Sequence, residues 1–319
     1  MTHFDVFNGD ADGICALHQL RLAHPIESVL VTGPKRDIAL LERVDARAGD
    51  TVTVLDISMT VNHDALVLLL NREVCIEYFD HHVPGEMPRS DRLHATIDVA
   101  PDVCTSILAD RHLNGRYRIW AAVGAFGDNL AAIACNLLLP MGLGTSQLAS
   151  LQALGESLNY NSYGSSETDL FVRPDVLYTT LHRYSDPFRF MEVESIFRVI
   201  SEGRQSDMNM ACDVRPDYVI AGGRIYILPD AAWSRRVRGA FGNRLAGEFP
   251  HQAIAVLSPD NLGGYVVSMR TPPEAPRNAQ QFCRRFPTGG GRVGAAGINH
   301  LPGNRMGEFI RKFELTFYG

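Results

Sequence analysis

The chain lacks any surplus of positive charge: 30 Lys and Arg stand against 36 Asp and Glu, a formal charge of -6 over 319 residues. A general field drawing in nucleic acid is thereby excluded, so a phosphate-bearing ligand must be held by local positive charge or by metal. Long hydrophobic runs are missing too. No segment stays apolar for the roughly 18 residues that a membrane span requires, and no basic start leads into an apolar stretch, so a cytoplasmic protein without a membrane partner is expected. The six cysteines, at 15, 75, 104, 135, 212 and 283, form no CxxC pair. Such scatter argues against a thiolate metal cluster or a disulfide framework, and for small buried hydrophobes in a reducing compartment. Repeats and low-complexity tracts are absent as well.

An apolar share of 45% is that of an ordinary globular protein, and 319 residues exceed the roughly 250 at which single cores stop growing. Two domains are expected. Up to about residue 135, short apolar strands alternate with helices: Phe4–Phe7, a helix from Ile14, Val29–Val31, a helix to Ala46, Thr51–Leu55, a helix through Leu66–Leu70, Val74–Phe79, then helices around Ser106–His112 and Ala121–Phe126. That alternation predicts a mostly parallel sheet covered on both faces. Between Leu137 and Ser185 the pattern loosens, with Asn159–Ser166 reading as a polar loop, and Phe188 to about Cys212 reads as one long connecting helix. Strand-like Tyr218–Ile220, Arg224–Leu228, Ala253–Leu257 and Gly264–Met269 follow, with helices at Ser234–Glu248 and Ala279–Phe286, a helix from Arg305 and a strand Phe313–Phe317. The expected fold class is α/β. An N-terminal parallel-sheet domain covers 1–190, variable and mostly helical at about 140–190; a helical linker covers 191–216; a smaller C-terminal α/β domain covers 217–319.

FNGDADGI, Phe7 to Ile14, sets two acids where a strand ends and a helix begins, the place where sites of α/β sheets are built. Alone, DADG is also what an Asp-capped turn looks like. Three further element ends carry similar chemistry: Asp56 after Thr51–Leu55, Asp80-His81-His82 after Cys75–Phe79, and Asp128 after Val123–Gly127. Singly they read as a cap, a surface turn and a solvated acid; their convergence at the ends of one domain's elements points to a site. Carboxylates gathered without counter-charge raise one another's pKa or repel one another apart. Divalent cations resolve that conflict, and Asp oxygens mixed with imidazole suit Mn²⁺ or Mg²⁺ better than structural zinc. Two such ions, bridged by a carboxylate, would clamp phosphoryl oxygens and supply a hydroxide nucleophile.

These motifs resemble the DHH phosphoesterases, named for the triplet Asp80-His81-His82. GGGRVGAAG, Gly289 to Gly297, preceded by Ser268-Met269-Arg270, resembles their associated substrate-binding domain, and the resemblance spans nearly the whole chain outside about 140–190. It implies a hydrolase with two divalent ions, Mn²⁺ ahead of Mg²⁺. In that pattern Asp10 and Asp12 bind separate ions, Asp56 bridges them, His81 is a ligand and Asp128 binds the second ion. Asp80 and His82 orient the site or help the leaving group, so Asp80, His81 and His82 are the catalytic candidates. Two residues before the first acid the family often has His or Asp; this chain has Asn8, a weaker candidate ligand because an amide oxygen brings no charge.

Three successive glycines, Gly289, Gly290 and Gly291, can turn backbone N–H groups toward an anion, or simply make a tight turn before a helix. Arg270 and Arg292 favour the phosphate-binding reading, since a guanidinium fork holds two oxygens at once. Asn243 and Arg244 also resemble family residues, and suit a plain helix surface equally well. Arg292 stands where the family presents His, a permanent charge in place of a titrating group. The implied protein is a divalent-metal-dependent phosphoesterase whose smaller domain closes over the metal centre. Its expected substrate is small and phosphate-bearing, with phosphodiester bonds of short oligonucleotides or nucleotides preferred. Exopolyphosphatase, another small-phosphate hydrolase and a non-catalytic phosphate-ligand-binding protein are the alternatives. Short single-stranded nucleic acid is a candidate partner; long strands need a charged track with several stacking aromatics. Tyr160 and Tyr163 either line an entrance or are exposed by chance, and a homodimer is a compatible assembly.

Overall fold

The computed structural model describes residues 1–275 and 277–318. The chain divides into two units, Met1–Glu202 and Gly203–Gly319. The first begins with β1 (His3–Phe7), α1 (Ala11–Ala23), β2 (Val29–Val31), β3 (Thr51–Leu55), α2 (His63–Asn71), β4 (Cys75–Asp80) and β5 (Leu93–Ile97). Helices α3 (Thr105–His112), α4 (Arg118–Gly127), α5 (Ala131–Leu138), α6 (Thr145–Asn161), α7 (Pro174–Leu181) and α8 (Pro187–Val193) follow, and α9 (Ser195–Cys212) carries the chain into the second unit.

The five strands form one parallel sheet in the order β2-β1-β3-β4-β5. Val6, Val54 and Tyr78 occupy matched register positions and, with Val52 and Ile76, bury one face against Leu66 and Leu69 of α2. Phe7, Leu55 and Phe79, each the next residue along its strand, bury the other face against α1, α3 and α4. A fully buried side chain of this size contributes about 1.5–3 kcal/mol, and burial on both faces is why these strands read as near-continuous apolar runs. Asp5 on β1 is the charged exception. It is fully buried, and its carboxylate accepts from Arg21 of α1 at 2.5 and 2.9 Å and from Ser28 at 2.6 Å, the pairing that a buried charge needs.

Several sequence expectations are corrected here. The helix expected before Ala46 is a single 3-10 turn, Leu40–Arg43. β5 was not foreseen, although Leu93, Ala95 and Ile97 alternate with His94 and Thr96; the strand is short, lies at the sheet edge and is largely exposed. Asn159–Ser166 is not loop throughout: α6 runs to Asn161, and Tyr160 is only 2% exposed, so it lines no entrance. The long connecting helix is split at Glu194, which is extended between α8 and α9.

The second unit contains β6 (Tyr218–Ile220), β7 (Gly223–Ile227), α10 (Ala232–Glu248), β8 (Ala253–Pro259), β9 (Gly264–Arg270), α11 (Ala279–Cys283), β10 (Gly289–Gly291), β11 (Ala295–Pro302) and α12 (Met306–Phe317). Its six-stranded sheet has the order β10-β11-β9-β8-β7-β6, with β7 and β8 parallel and the other pairs antiparallel. Val237, Phe241 and Leu245 of α10 pack on Tyr226, Ile254 and Val256, while Phe282, Phe286, Phe309, Phe313 and Phe317 form a second core. The strand expected at Phe313–Phe317 is therefore the end of α12. Phe309, Phe313 and Phe317 recur at the four-residue spacing that stacks one helix face. Cys15, Cys104 and Cys283 are buried as expected, but Cys75 and Cys212 are exposed. Among the described residues no helix is long and apolar enough to cross a membrane.

Candidate metal centre

In a sheet ordered β2-β1-β3-β4-β5 the strand order reverses at β1, and sheets of this kind bind ligands beyond the carboxyl ends of the strands at such a reversal, here β1 and β3. Asn8 and Asp10 follow β1, Asp56 follows β3, and β4 ends in Asp80 with His81 and His82 next. Asp10 caps α1: its Oδ1 accepts the backbone N–H groups of Asp12 at 3.0 Å and Gly13 at 3.1 Å. Asp12 reaches instead to α3, whose Thr105 and Ser106 N–H groups donate to its two oxygens at 2.7 Å each. Asp56 lies in the left-handed region with φ 58°, while its N–H continues the ladder to the Phe79 carbonyl at 3.0 Å. Asp tolerates that conformation better than most residues, and the remaining cost, on the order of 1–3 kcal/mol, is borne where surroundings fix the backbone. Asp128 is the C-cap of α4, so it arrives from a helix end.

His81 closes the group. Its Nδ1 lies 3.1 Å from the carbonyl of Val103, an acceptor only, so in the neutral ring Nδ1 carries the proton and Nε2 presents a lone pair. That Nε2 is 3.4 Å from Asp56 Oδ1 and 4.0 Å from Asp128 Oδ2. Burial, then the charges of Asp10 and Asp12, push Asp56 well above the ordinary carboxylate range; burial and Asp12 raise Asp128 to about 6. Two ligand sets result, Asp12-His81-Asp128 and Asp56-His81-His82, each with ligand atoms within 4.8 Å of one another. Acceptors that converge in this way fit a divalent cation, and the Val103 bond orients the imidazole as second-sphere partners of metal-bound histidines do.

Asp80 is fully buried, and its Oδ1 accepts from the His81 N–H at 2.9 Å and pairs with His82 Nδ1 at 2.6 Å. The bond to Asp80 raises the His82 pKa. Asp80 Oδ2 and Asn8 Oδ1 are both buried without a hydrogen-bond partner among the described residues. The second ligand set includes His82, which the sequence had assigned to an orienting or leaving-group role.

Sequence reasoning missed Lys35. It lies in the loop after β2, where Gly9 allows close approach: a Cβ there would fall 2.2 Å from the Gly33 carbonyl oxygen. The Lys35 N–H donates to the Ser162 carbonyl at 3.0 Å, fixing the residue to the end of α6. Its Nζ lies 2.5 Å from Asp10 Oδ2, 3.3 Å from Asn159 Oδ1 and 4.0 Å from Asp128 Oδ1. Burial alone would raise the Asp10 pKa, but Lys35 outweighs it and holds the carboxyl below its ordinary range. The only sequence signal was a lysine two residues after a glycine, beyond an edge strand.

No protein-family model and no curated protein matches the chain. Solved structures do. Exonuclease RecJ bound to manganese aligns with 98% of this chain and 89% of its own, at 16% identity and a TM-score of 0.64. The DHH domain of a member of the s1p family of ribosomal proteins aligns with 98% of this chain and 86% of its own, at 14% identity and 0.65. A pGpG-specific phosphodiesterase from Vibrio aligns over 100% of both chains at 10% identity and 0.54. The chain shares the fold of these structures, that of a DHH domain.

In the C-terminal unit of this DHH fold, Gly289–Gly291 form the edge strand β10, paired with Ala296–Ile298 of β11. They make neither a nest nor a turn before a helix: the chain reverses over Arg292–Ala295, Gly291 has φ 134°, and AAG opens a strand. Arg292 is exposed, and its guanidinium has no hydrogen-bond or ion-pair partner among the described residues. Arg270 is held from several sides, by Asn243 Oδ1 at 2.7 Å, the Met269 carbonyl at 2.8 Å and Ser268 Oγ at 3.1 Å. Asn243 thus orients an arginine from an exposed position on α10.

Proposed function

We propose that the chain is a divalent-cation-dependent phosphoesterase acting on phosphodiester bonds of short oligonucleotides or nucleotides. The observation that carries this reading is the approach of the His81 Nε2 lone pair to Asp56 Oδ1 and Asp128 Oδ2. Asp12, His81 and Asp128 would hold the cation together with Asp56, whose Oδ1 lies 3.4 Å from the same His81 Nε2, and Mn²⁺ is preferred to Mg²⁺ because imidazole joins the carboxylates. When bound, such a cation polarises a phosphoryl oxygen and brings the pKa of water toward neutrality.

The chain's own residues supply the rest. Val103 fixes the His81 tautomer, and the α3 N–H groups fix both oxygens of Asp12, so the ligands are set before substrate arrives. Asp80 orients His82 through its Nδ1 and raises its pKa, and His82 is the proposed proton donor to a departing oxygen. Arg292, with its free fork, and Arg270, already oriented by Asn243, are the proposed phosphate contacts of the C-terminal unit. The similarity to an exonuclease and to a pGpG-specific phosphodiesterase supports a nucleotide phosphodiester over polyphosphate. A hydrolysis panel with chelator-stripped protein and added Mn²⁺ tests the choice, comparing 5′-phosphorylated dinucleotides, longer single strands, cyclic dinucleotides, polyphosphate and 3′,5′-bisphosphate nucleotide. Dinucleotides should be cleaved best. Cleavage of polyphosphate alone would overturn the substrate reading.

A further inference from the structure

The Asp10 side of the centre differs from the Asp12 side in one respect: a lysine already occupies it. Asp10 spends Oδ1 on the cap of α1, with bonds at 3.0 and 3.1 Å, which leaves Oδ2 as its outward ligand atom. That atom meets the Lys35 ammonium at 2.5 Å, and the same ammonium is 4.0 Å from Asp128 Oδ1. Asn8, the remaining polar side chain at this junction, is 7% exposed and brings no charge. Asp10 belongs to neither of the ligand sets that meet at His81.

We propose that the Lys35 ammonium is a built-in cation of this centre, so that the chain binds one divalent ion tightly, on Asp12, Asp56, His81 and Asp128, and lacks a second tight site at Asp10. The proposal rests on the metal-dependent reading above and departs from the two ions that the DHH resemblance implies. A fixed ammonium beside Asp10 supplies there the positive charge that a second ion would bring, and repels any ion that approaches the same oxygen. The placement is built rather than incidental. The Lys35 N–H is bound to Ser162, Asn159 accepts from Nζ at 3.3 Å, and Tyr163 lies 2.8 Å from the Asn159 amide nitrogen and holds it in turn.

Counting ions tests this without any substrate. Calorimetric titration of metal-free wild-type protein with Mn²⁺ should give one tight site per chain, and its electron paramagnetic resonance spectrum should be that of isolated Mn²⁺. Lys35→Met should gain a second site at least 100-fold tighter than any second site of the wild type, with an exchange-coupled spectrum. Lys35→Arg should keep one. Two ions of comparable affinity in the wild type would overturn the proposal, as would a single site in folded Lys35→Met. The wild-type count decides by itself if that variant does not fold. Two wild-type ions would leave the metal-dependent reading intact, whereas no binding at all would sink both.

Discussion

Asp12 accepts the backbone N–H of Thr105 at 2.7 Å, so an acid in the first turn of one helix caps another helix. The same carboxylate accepts from Ser106 at 2.7 Å and belongs to a candidate metal-ligand set with His81 and Asp128. Helix capping and the proposed metal binding therefore share one side chain. Asp12→Ala should lose both: unfolding free energy falls by about 1–3 kcal/mol, the cost of stranding buried donors, and Mn²⁺ binding weakens. Asp12→Asn keeps one acceptor oxygen and should recover part of the stability without the ion. Denaturant melts paired with Mn²⁺ titration distinguish the two, and equal stability of Asp12→Ala and wild type would refute the capping role.

Asp56 behaves in the opposite sense. Burial and its acidic neighbours push its pKa well up, so in the metal-free protein the charge is unfavourable. Asp56→Asn tolerates the positive φ of 58° and removes that charge. The metal-free variant should melt higher than metal-free wild type. It should also lose most of the stabilisation that saturating Mn²⁺ gives, about 2.7 kcal/mol at a hundred times Kd. A lower metal-free melting temperature, with the Mn²⁺ increment unchanged, would contradict the ligand role.

Much of this centre was legible because each acid or histidine interrupts an apolar pattern: Asp56 ends Thr51–Leu55, and Asp80 ends Cys75–Phe79. Parallel strands buried on both faces impose such runs, so their ends stand out. Lys35 was not legible, because its place depends on Gly9 packing against Gly33 and on an anchor at Ser162, contacts far apart in sequence. β5 escaped despite the alternation of Leu93, Ala95 and Ile97, because a five-residue edge strand leaves little apolar signal, and Phe313–Phe317 misled because two phenylalanines four apart satisfy both a strand and a helix period. The glycine run was misread for a related reason: composition signals backbone freedom, whereas pairing with β11 is a tertiary fact.

The two arginines of the C-terminal unit should separate under mutation. Arg292 has no side-chain partner to lose among the described residues, so Arg292→Ala should leave thermal stability unchanged. Binding of a non-hydrolysable dinucleotide should weaken by about ten-fold to a hundred-fold, the equivalent of about 1.5–3 kcal/mol for a charge-assisted contact. Lysine should restore part. Arg270→Ala strands Asn243 and Ser268, so it should lower the melting temperature as well. Unaltered affinity in folded Arg292→Ala would leave phosphate binding to Arg270 and the backbone.

Away from the metal centre, His18 predicts a pH dependence of stability. It is fully buried; its Nε2 donates to the Tyr184 carbonyl at 3.1 Å, and Nδ1 meets His182 Nδ1 at 3.0 Å. Burial, then His182, lower its pKa to about 3. With the folded value below the unfolded one, the unfolded chain takes up the proton first, and stability falls as pH drops from about 6.5 toward 3. Between pH 7 and 5 the loss from this residue should be about 2 kcal/mol. The difference in unfolding free energy between wild type and His18→Gln should shrink by that amount over the same interval. A difference independent of pH would rule the effect out.

Under the proposed function, the chain hydrolyses a phosphodiester with the help of a cation held by Asp12, Asp56, His81 and Asp128. The most direct test is the rate of cleavage of a 5′-phosphorylated dinucleotide by chelator-stripped protein as Mn²⁺ is added back. Cleavage should be absent without the ion, rise saturably as it is restored, and lose that rise in Asp56→Asn. Cleavage that ignores Mn²⁺, or none at any concentration in a protein that is folded, would contradict the proposed function.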